Sequence, residues 1–228
     1  MPEPLAVATS PEIAEAVPAL AVPVGSLEQH GPHLPLDTDT RIAVAVAAAL
    51  PGLTLAPAIA YGASGEHEGF AGTVSIGSAV LQSVVVEYGR SACRWSPRVL
   101  LVNGHGGNAP ALAAAVALLR YEGRDVAWLP CAVPGADAHA GHTETSLLLH
   151  ISPEVVRLDL AEPGDLRPIG EIMPAMRRGG VGAVSDNGVL GDPTAADANA
   201  GARMFEQMVA RGAAALARWQ PDDRGMLR

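Results

Sequence analysis

RVLLVNGHGGNAPALAAAVALLRYEGRDVAWL, residues 98–129, reads as a strand, a glycine-rich turn, a helix and a second strand. Its first part, RVLLVN (98–103), is short, apolar and β-branched, as suits a strand covered on both faces. PALAAAVALLRYEG predicts a helix over about 109–122 that ends at Gly123. DVAWL (125–129) is again apolar and short enough for a buried strand.

The pattern repeats on the N-terminal side. ALAVPV (19–24) and LTLA (53–56) read as two more buried strands, with helical patterns at about 39–50 and 77–94. Downstream, a helix is expected from about Thr143 to His150, stopped by Pro153, and a long one from about Thr194 to Trp219. Strand and helix alternate, which implies an α/β layered domain with a mostly parallel sheet. Residues 160–193 are rich in Gly and Pro and read as a long loop. A loop of that length carries function or covers a site or a neighbour. No repeat or low-complexity linker divides the 228 residues, so a single domain over 1–228 is expected.

Composition removes several function classes. A formal net charge of −9 disfavours nucleic-acid binding, which relies on clustered Lys and Arg. The tight basic pair Arg177-Arg178 reads as part of a solvated loop. Glu3, Glu12 and Glu15 interrupt any signal-like N-terminus, and no run of about 18 apolar residues suggests a membrane span, so a cytoplasmic protein is expected. Cys93 and Cys131 lack the spacing of a disulfide framework or zinc finger and read as buried reduced thiols.

In open parallel sheets ligands bind beyond the carboxyl ends of the strands, so the segments after each strand carry the chemistry. GSLEQHGPHLPLDTDT (25–40) holds Glu28, His30, His33, Asp37 and Asp39. Glu28 and His30, two apart, point to one side of an extended chain and can offer an oxygen and a nitrogen to adjacent metals. Asp39, at a helix start where an ionised carboxylate is favoured, can bridge two ions. NGHGGN (103–108) places His105 among Gly104, Gly106 and Gly107, which let a substrate or metal approach the backbone. DAHAGHTETS (137–146) holds His139, His142 and Glu144. Glu144 can complete a second metal's ligand set, and His139 is the expected proton shuttle to the leaving amine, with Glu144 its competitor. GASGEHEGFAGTVSIG (62–77) sets His67 beside Glu66 and Glu68, in a substrate-contacting or supporting place. Mixed His and carboxylate ligands suit zinc, iron or manganese. The chemistry they imply is hydrolysis of an amide by an activated water, because no GxSxG elbow or placed cysteine offers a covalent route.

GSLEQHGPHLPLDTDT, NGHGGN and HAGHTETS together resemble the creatininase family of binuclear-metal amidohydrolases. The resemblance implies an α/β/α sandwich, a homo-oligomer, and metal ligands at Glu28, His30, Asp39, His105 and Glu144, with Asp39 bridging. AIAYGASGEHEGFAGTVSIG, DAHAGHTETSLLLHISP, MRRGGVGAV and GVLGDPTAA are similar to the branch of that family encoded with mycofactocin biosynthesis. That branch implies a peptidase that releases a modified C-terminal Val-Tyr-derived dipeptide from a precursor peptide, with Fe(II) or Zn(II) as the metal. The chain departs from creatininase at Gly107, where creatininase has a glutamate, which leaves the fifth ligand to come from elsewhere. It also has Asp37 where many relatives have Gly, and His142 where they have Glu, changes expected to bear on substrate fit. Two other functions compete: an amidohydrolase of small cyclic amides or formamides, and a metal-free oligomeric binding subunit.

Overall fold

The computed structural model of the chain describes residues 4–228. Four strands form one all-parallel sheet: β1 (Leu20–Val24), β2 (Thr54–Leu55), β3 (Val99–Asn103) and β4 (Val126–Pro130), in the order β2-β1-β3-β4. The register runs from Leu20↔Val99 to Val24↔Asn103 between β1 and β3, and from Val99↔Val126 to Asn103↔Pro130 between β3 and β4. Both central strands are buried throughout, as continuous apolar runs require. Pro23 is tolerated inside β1 because its missing donor faces the side of β2, which ends at Leu55. Its carbonyl still accepts from Ile59 N at 2.9 Å.

Side chains alternate across the sheet with period two. Leu20, Val22, Val24, Val99 and Leu101 pack with Leu81 and Val85 of α3 (Gly77–Ala92) and Leu112 and Val116 of α4 (Ala109–Tyr121). Ala21, Leu100 and Val102 face the other way. They meet Ile42 and Val46 of α2 (Thr38–Ala49), Leu148 of α5 (His142–Ile151) and Met208 of α7 (Ala198–Arg218). Each fully buried aliphatic side chain contributes about 1.5–3 kcal/mol, and here these residues lie in two layers on either side of one sheet. The result is the expected α/β/α sandwich. The outer edge of β4 is covered by the C-terminus, where Leu227 N donates to Trp128 O at 2.8 Å.

Two helices were not expected. The segment α1 (Ser10–Ala16) opens where Thr9 N donates to Glu12 Oε2 at 2.7 Å, a local cap rather than an apolar period. The stretch 160–193 is not a loop throughout: α6 (Ile169–Gly179) lies inside it. Pro174 is its sixth residue, close enough to the N-terminus to remove a single backbone bond without ending the helix. Arg177 and Arg178 therefore sit in a helical last turn, exposed and favourably placed against the helix dipole, rather than in a loop. Start positions elsewhere shift by little, except that α7 begins at Ala198 because Asp197 caps it, accepting from Asn199 N and Ala200 N.

Candidate metal centre

The strand order reverses between β1 and β3: the chain leaves β1 towards β2 on one side and β3 towards β4 on the other. Such a switch point opens a crevice at the carboxyl ends of the two strands. Glu28 and His30 lie on the segment leaving β1, His105 two residues past the end of β3, and Asp39 in the first turn of α2. His139 lies between β4 and α5, and Glu144 is in the first turn of α5. The NGHGGN amides tie these segments together. Asn108 Nδ2 donates to Gly25 O at 2.9 Å and to Asn103 Oδ1 at 3.1 Å, while Asn108 Oδ1 accepts from Ala63 N at 2.9 Å.

Asp39 stands at the middle. Its Oδ1 is 3.3 Å from His30 Nε2 and its Oδ2 3.2 Å from His105 Nδ1, with Ser26 Oγ donating to Oδ2 at 2.7 Å. Glu28 Oε1 is 3.2 Å from His105 Nδ1, 3.4 Å from His67 Nε2 and 3.8 Å from His139 Nδ1. Glu144 Oε2 is 3.8 Å from His30 Nε2 and accepts from Ala140 N at 2.6 Å. Three sets of donor atoms, each within 4.8 Å, result: Glu28, Asp39 and His105; His30, His139 and Glu144; Glu28, His67 and His139.

Both Glu28 oxygens and His30 Nε2 are buried without a hydrogen-bond partner, although Glu28 Oε1 and His30 Nε2 lie within ion-pair range of a neighbour. A buried carboxylate with neither oxygen satisfied is strongly disfavoured unless a cation sits between the donors. The donor chemistry thus fits divalent metal and does not suit a metal-free binding subunit. The electrostatics agree. Burial lowers the His30 pKa, but Asp39, Glu144 and Glu28 outweigh it and carry it up to about 9. Burial pushes the Glu144 carboxyl up to about 7, with His30 opposing. Burial, His30 and His67 hold His139 well below the usual histidine value.

Of the expected site residues, Glu28, His30, Asp39, His105, His139 and Glu144 come together, and His67 joins them more closely than expected of a supporting residue. Gly106 faces open space and lines a cavity of about 210 Å³ that Thr143, Asp137 and Glu144 also line. Gly107 is required by close approach: a Cβ there would lie 2.4 Å from His105 Nε2 and 2.5 Å from Ala63 O. Asp37 lies outside the cluster, half exposed, and its Oδ1 accepts from Arg41 Nε at 2.8 Å. His142, the first residue of α5, belongs to none of the three sets. Cys93 and Cys131 are free thiols, only half buried.

Sequence reasoning missed three residues. Glu66 Oε1 lies 3.4 Å from His105 Nε2, in space that Gly107 leaves open. Ser26 holds Asp39, and Gln29 touches two histidines. The signal for Glu66 was its adjacency to His67; an uncharged amide between Glu28 and His30 gave none. The 160–193 segment packs on the site loops of its own chain, through Ile172, Val181 and Leu190 against Phe70, and Leu190 N donates to His139 O at 2.9 Å. No described helix is long and apolar enough to cross a membrane.

The family model for creatininase, described as creatinine amidohydrolase, matches residues 6–216. The chain is 60% identical over 235 residues to the mycofactocin precursor peptide peptidase of Mycolicibacterium smegmatis, covering 99% of this chain and 95% of that protein. A single-residue mutant of creatininase superposes with a TM-score of 0.81 at 27% identity, over 95% of this chain and 99% of the other. Another creatininase, in a zinc–zinc form, superposes with a TM-score of 0.75 at 26% identity, over 95% and 98% of the two chains.

Proposed function

Because this chain belongs to the creatininase family, we propose that it is a metal-dependent peptidase acting on a modified precursor peptide. It releases the C-terminal Val-Tyr-derived dipeptide by attack of water on an amide bond. The observation that carries the reading is a buried carboxylate–imidazole cluster in which Asp39 faces His30 with one oxygen and His105 with the other, with both Glu28 oxygens unsatisfied, in a chain similar to such a peptidase from end to end. Glu28, Asp39 and His105 would hold one ion, and His30, Asp39 and Glu144 the other. Fe(II) or Zn(II) suits these ligands, with Mn(II) the third candidate. When bound, the ions lower the pKa of a water and polarise the carbonyl under attack.

The chain's own residues supply the rest. His139 Nδ1 faces the cluster and takes a proton from the attacking water, then hands it to the leaving amine. Glu144, with its carboxyl near neutrality, competes for that last transfer. The cavity beside Gly106 and Glu144 receives the end of the peptide. The 228 residues act as one domain in a cytoplasmic homo-oligomer.

The test is mass spectrometry of the modified precursor incubated with metal-loaded protein, beside an Asp39→Ala control. Dipeptide release by the wild type alone is expected. An intact peptide with metal bound would overturn the substrate, and turnover of creatinine or a formamide would redirect the reading to small amides.

A further inference from the structure

Gln29 lies between two proposed ligands and is itself buried. Its side-chain amide has an orientation that its unambiguous partners decide. Oε1 accepts from Gly31 N at 2.9 Å, a group that only donates, and Nε2 donates to Gly188 O at 3.0 Å, a group that only accepts. Gly188 has φ of +80°, and a Cβ there would lie 2.0 Å from Gln29 Oε1, so this contact requires glycine.

With the amide fixed, the two histidines beside it follow by accounting. The main-chain carbonyl of Gln29 lies 2.7 Å from His139 Nε2 and can only accept, so His139 carries its proton on Nε2. That nitrogen cannot then accept from the Gln29 amide, although it lies 3.1 Å away. The two amide hydrogens therefore go to Gly188 O and to His67 Nδ1, the latter at 2.8 Å. His67 Nδ1 is thus an acceptor, and its proton sits on Nε2, which faces Glu28 Oε1 at 3.4 Å.

We propose that Gln29 is the positioning residue of the site, and that it fixes opposite faces of two neighbouring imidazoles towards Glu28: a lone pair from His139 Nδ1 and an N–H from His67 Nε2. The role assigned to His139 rests on the peptidase reading, but the tautomers do not. His139 is ready to accept a proton or join the His30 and Glu144 set. His67 turns an N–H towards Glu28, close to it at 3.4 Å without forming a hydrogen bond, and is not a third metal's ligand, even though it forms a donor set with Glu28 and His139.

Long-range proton–nitrogen NMR of zinc-loaded protein labelled with ¹⁵N-histidine reads the tautomers directly. Both His67 and His139 are expected as Nε2–H. In Gln29→Glu the side chain has no hydrogen to give His67, and His67 is expected to switch to Nδ1–H while His139 keeps its tautomer. Gln29→Met, which keeps the volume, is expected to leave His67 in mixed tautomers. Both variants are expected to lose about tenfold to a hundredfold in kcat with little change in KM, as loss of a group that orients ligands does. A wild-type His67 protonated at Nδ1, or variants with unchanged kcat and unchanged histidine spectra, would overturn the proposal. If the wild type cleaves no precursor, the peptidase reading fails while the spectra still decide the tautomers.

Discussion

The two halves of the cluster share Asp39 and differ in their access to solvent. Glu28, Asp39 and His105 are sealed, none more than 6% exposed. The other half includes Glu144, whose side chain is 22% exposed and borders the cavity beside Gly106. Chain topology produces the difference. The sealed half is formed by residues directly beyond the two central strands and by a helix start beneath them. The open half depends on α5, which follows an outer strand. On the proposed function, an ion in the first half would be surrounded by protein, and one in the second would lie nearer the cavity.

The largest effect is expected where the halves join. Asp39→Ala removes an oxygen from each, and several kcal/mol of lost charge stabilisation lowers activity roughly a thousandfold or more. Metal analysis after dialysis is expected to find both ions depleted. A variant that retains two ions per protomer would break the idea that Asp39 spans the halves.

Separating the halves is the next step. Glu144→Gln is expected to deplete the ion of the open half alone, and Glu28→Gln that of the sealed half, each with about tenfold to a hundredfold weaker affinity. Titration calorimetry with zinc would distinguish them. Two variants that lose the same ion, or both ions, would show that the halves are one site.

The pH dependence sharpens the comparison through His30. Without metal its pKa is raised to about 9, so the metal-free open half holds a proton that an incoming ion must displace. Burial raises the Glu144 carboxyl to about 7. Above that value, apparent affinity for the second ion is therefore expected to rise about tenfold per pH unit up to about pH 9 and then to level off, one proton being released per ion in that window. A chelator competition series from pH 6.5 to 9.5 measures the slope. A flat profile would mean that His30 is neutral in the metal-free protein.

Both halves were legible in the sequence. Strands 98–103 and 19–24 announce themselves as continuous apolar runs, and the residues after them are necessarily at the sheet's end, which picks out Glu28 and His105 of the sealed half and His30 of the open half. Asp39 was readable for the same reason, as a carboxylate at a helix start. What lay beyond reach depends on contacts distant in sequence. The short span Thr54–Leu55 cannot say which edge it joins. The helix α6 hides behind Pro174 and its flanking glycines, and its burial comes from Val181, Leu190 and Phe70 rather than from a long apolar period. Gln29 is the sharpest case. Nothing in an uncharged side chain signals that both its amide and its carbonyl touch histidines 38 and 110 residues away.

The smallest effect marks where the site stops. Asp37 lies two residues before Asp39, and sequence reading gave it a part in substrate fit. Its carboxylate instead pairs with Arg41, four residues on, with both side chains at least a third exposed, and it makes no capping bond to α2. An exposed pair of this kind is worth roughly 0.3–0.5 kcal/mol, so Asp37→Ala is expected to move Tm by only about 1–2 °C and to leave kcat/KM and metal content unchanged. The contrast with Asp39→Ala follows from helix geometry: positions two apart point to different sides, one to solvent and one into the crevice. A tenfold fall in kcat/KM with metal retained would instead bring the outer start of α2 into the substrate's path and enlarge the open half beyond Glu144.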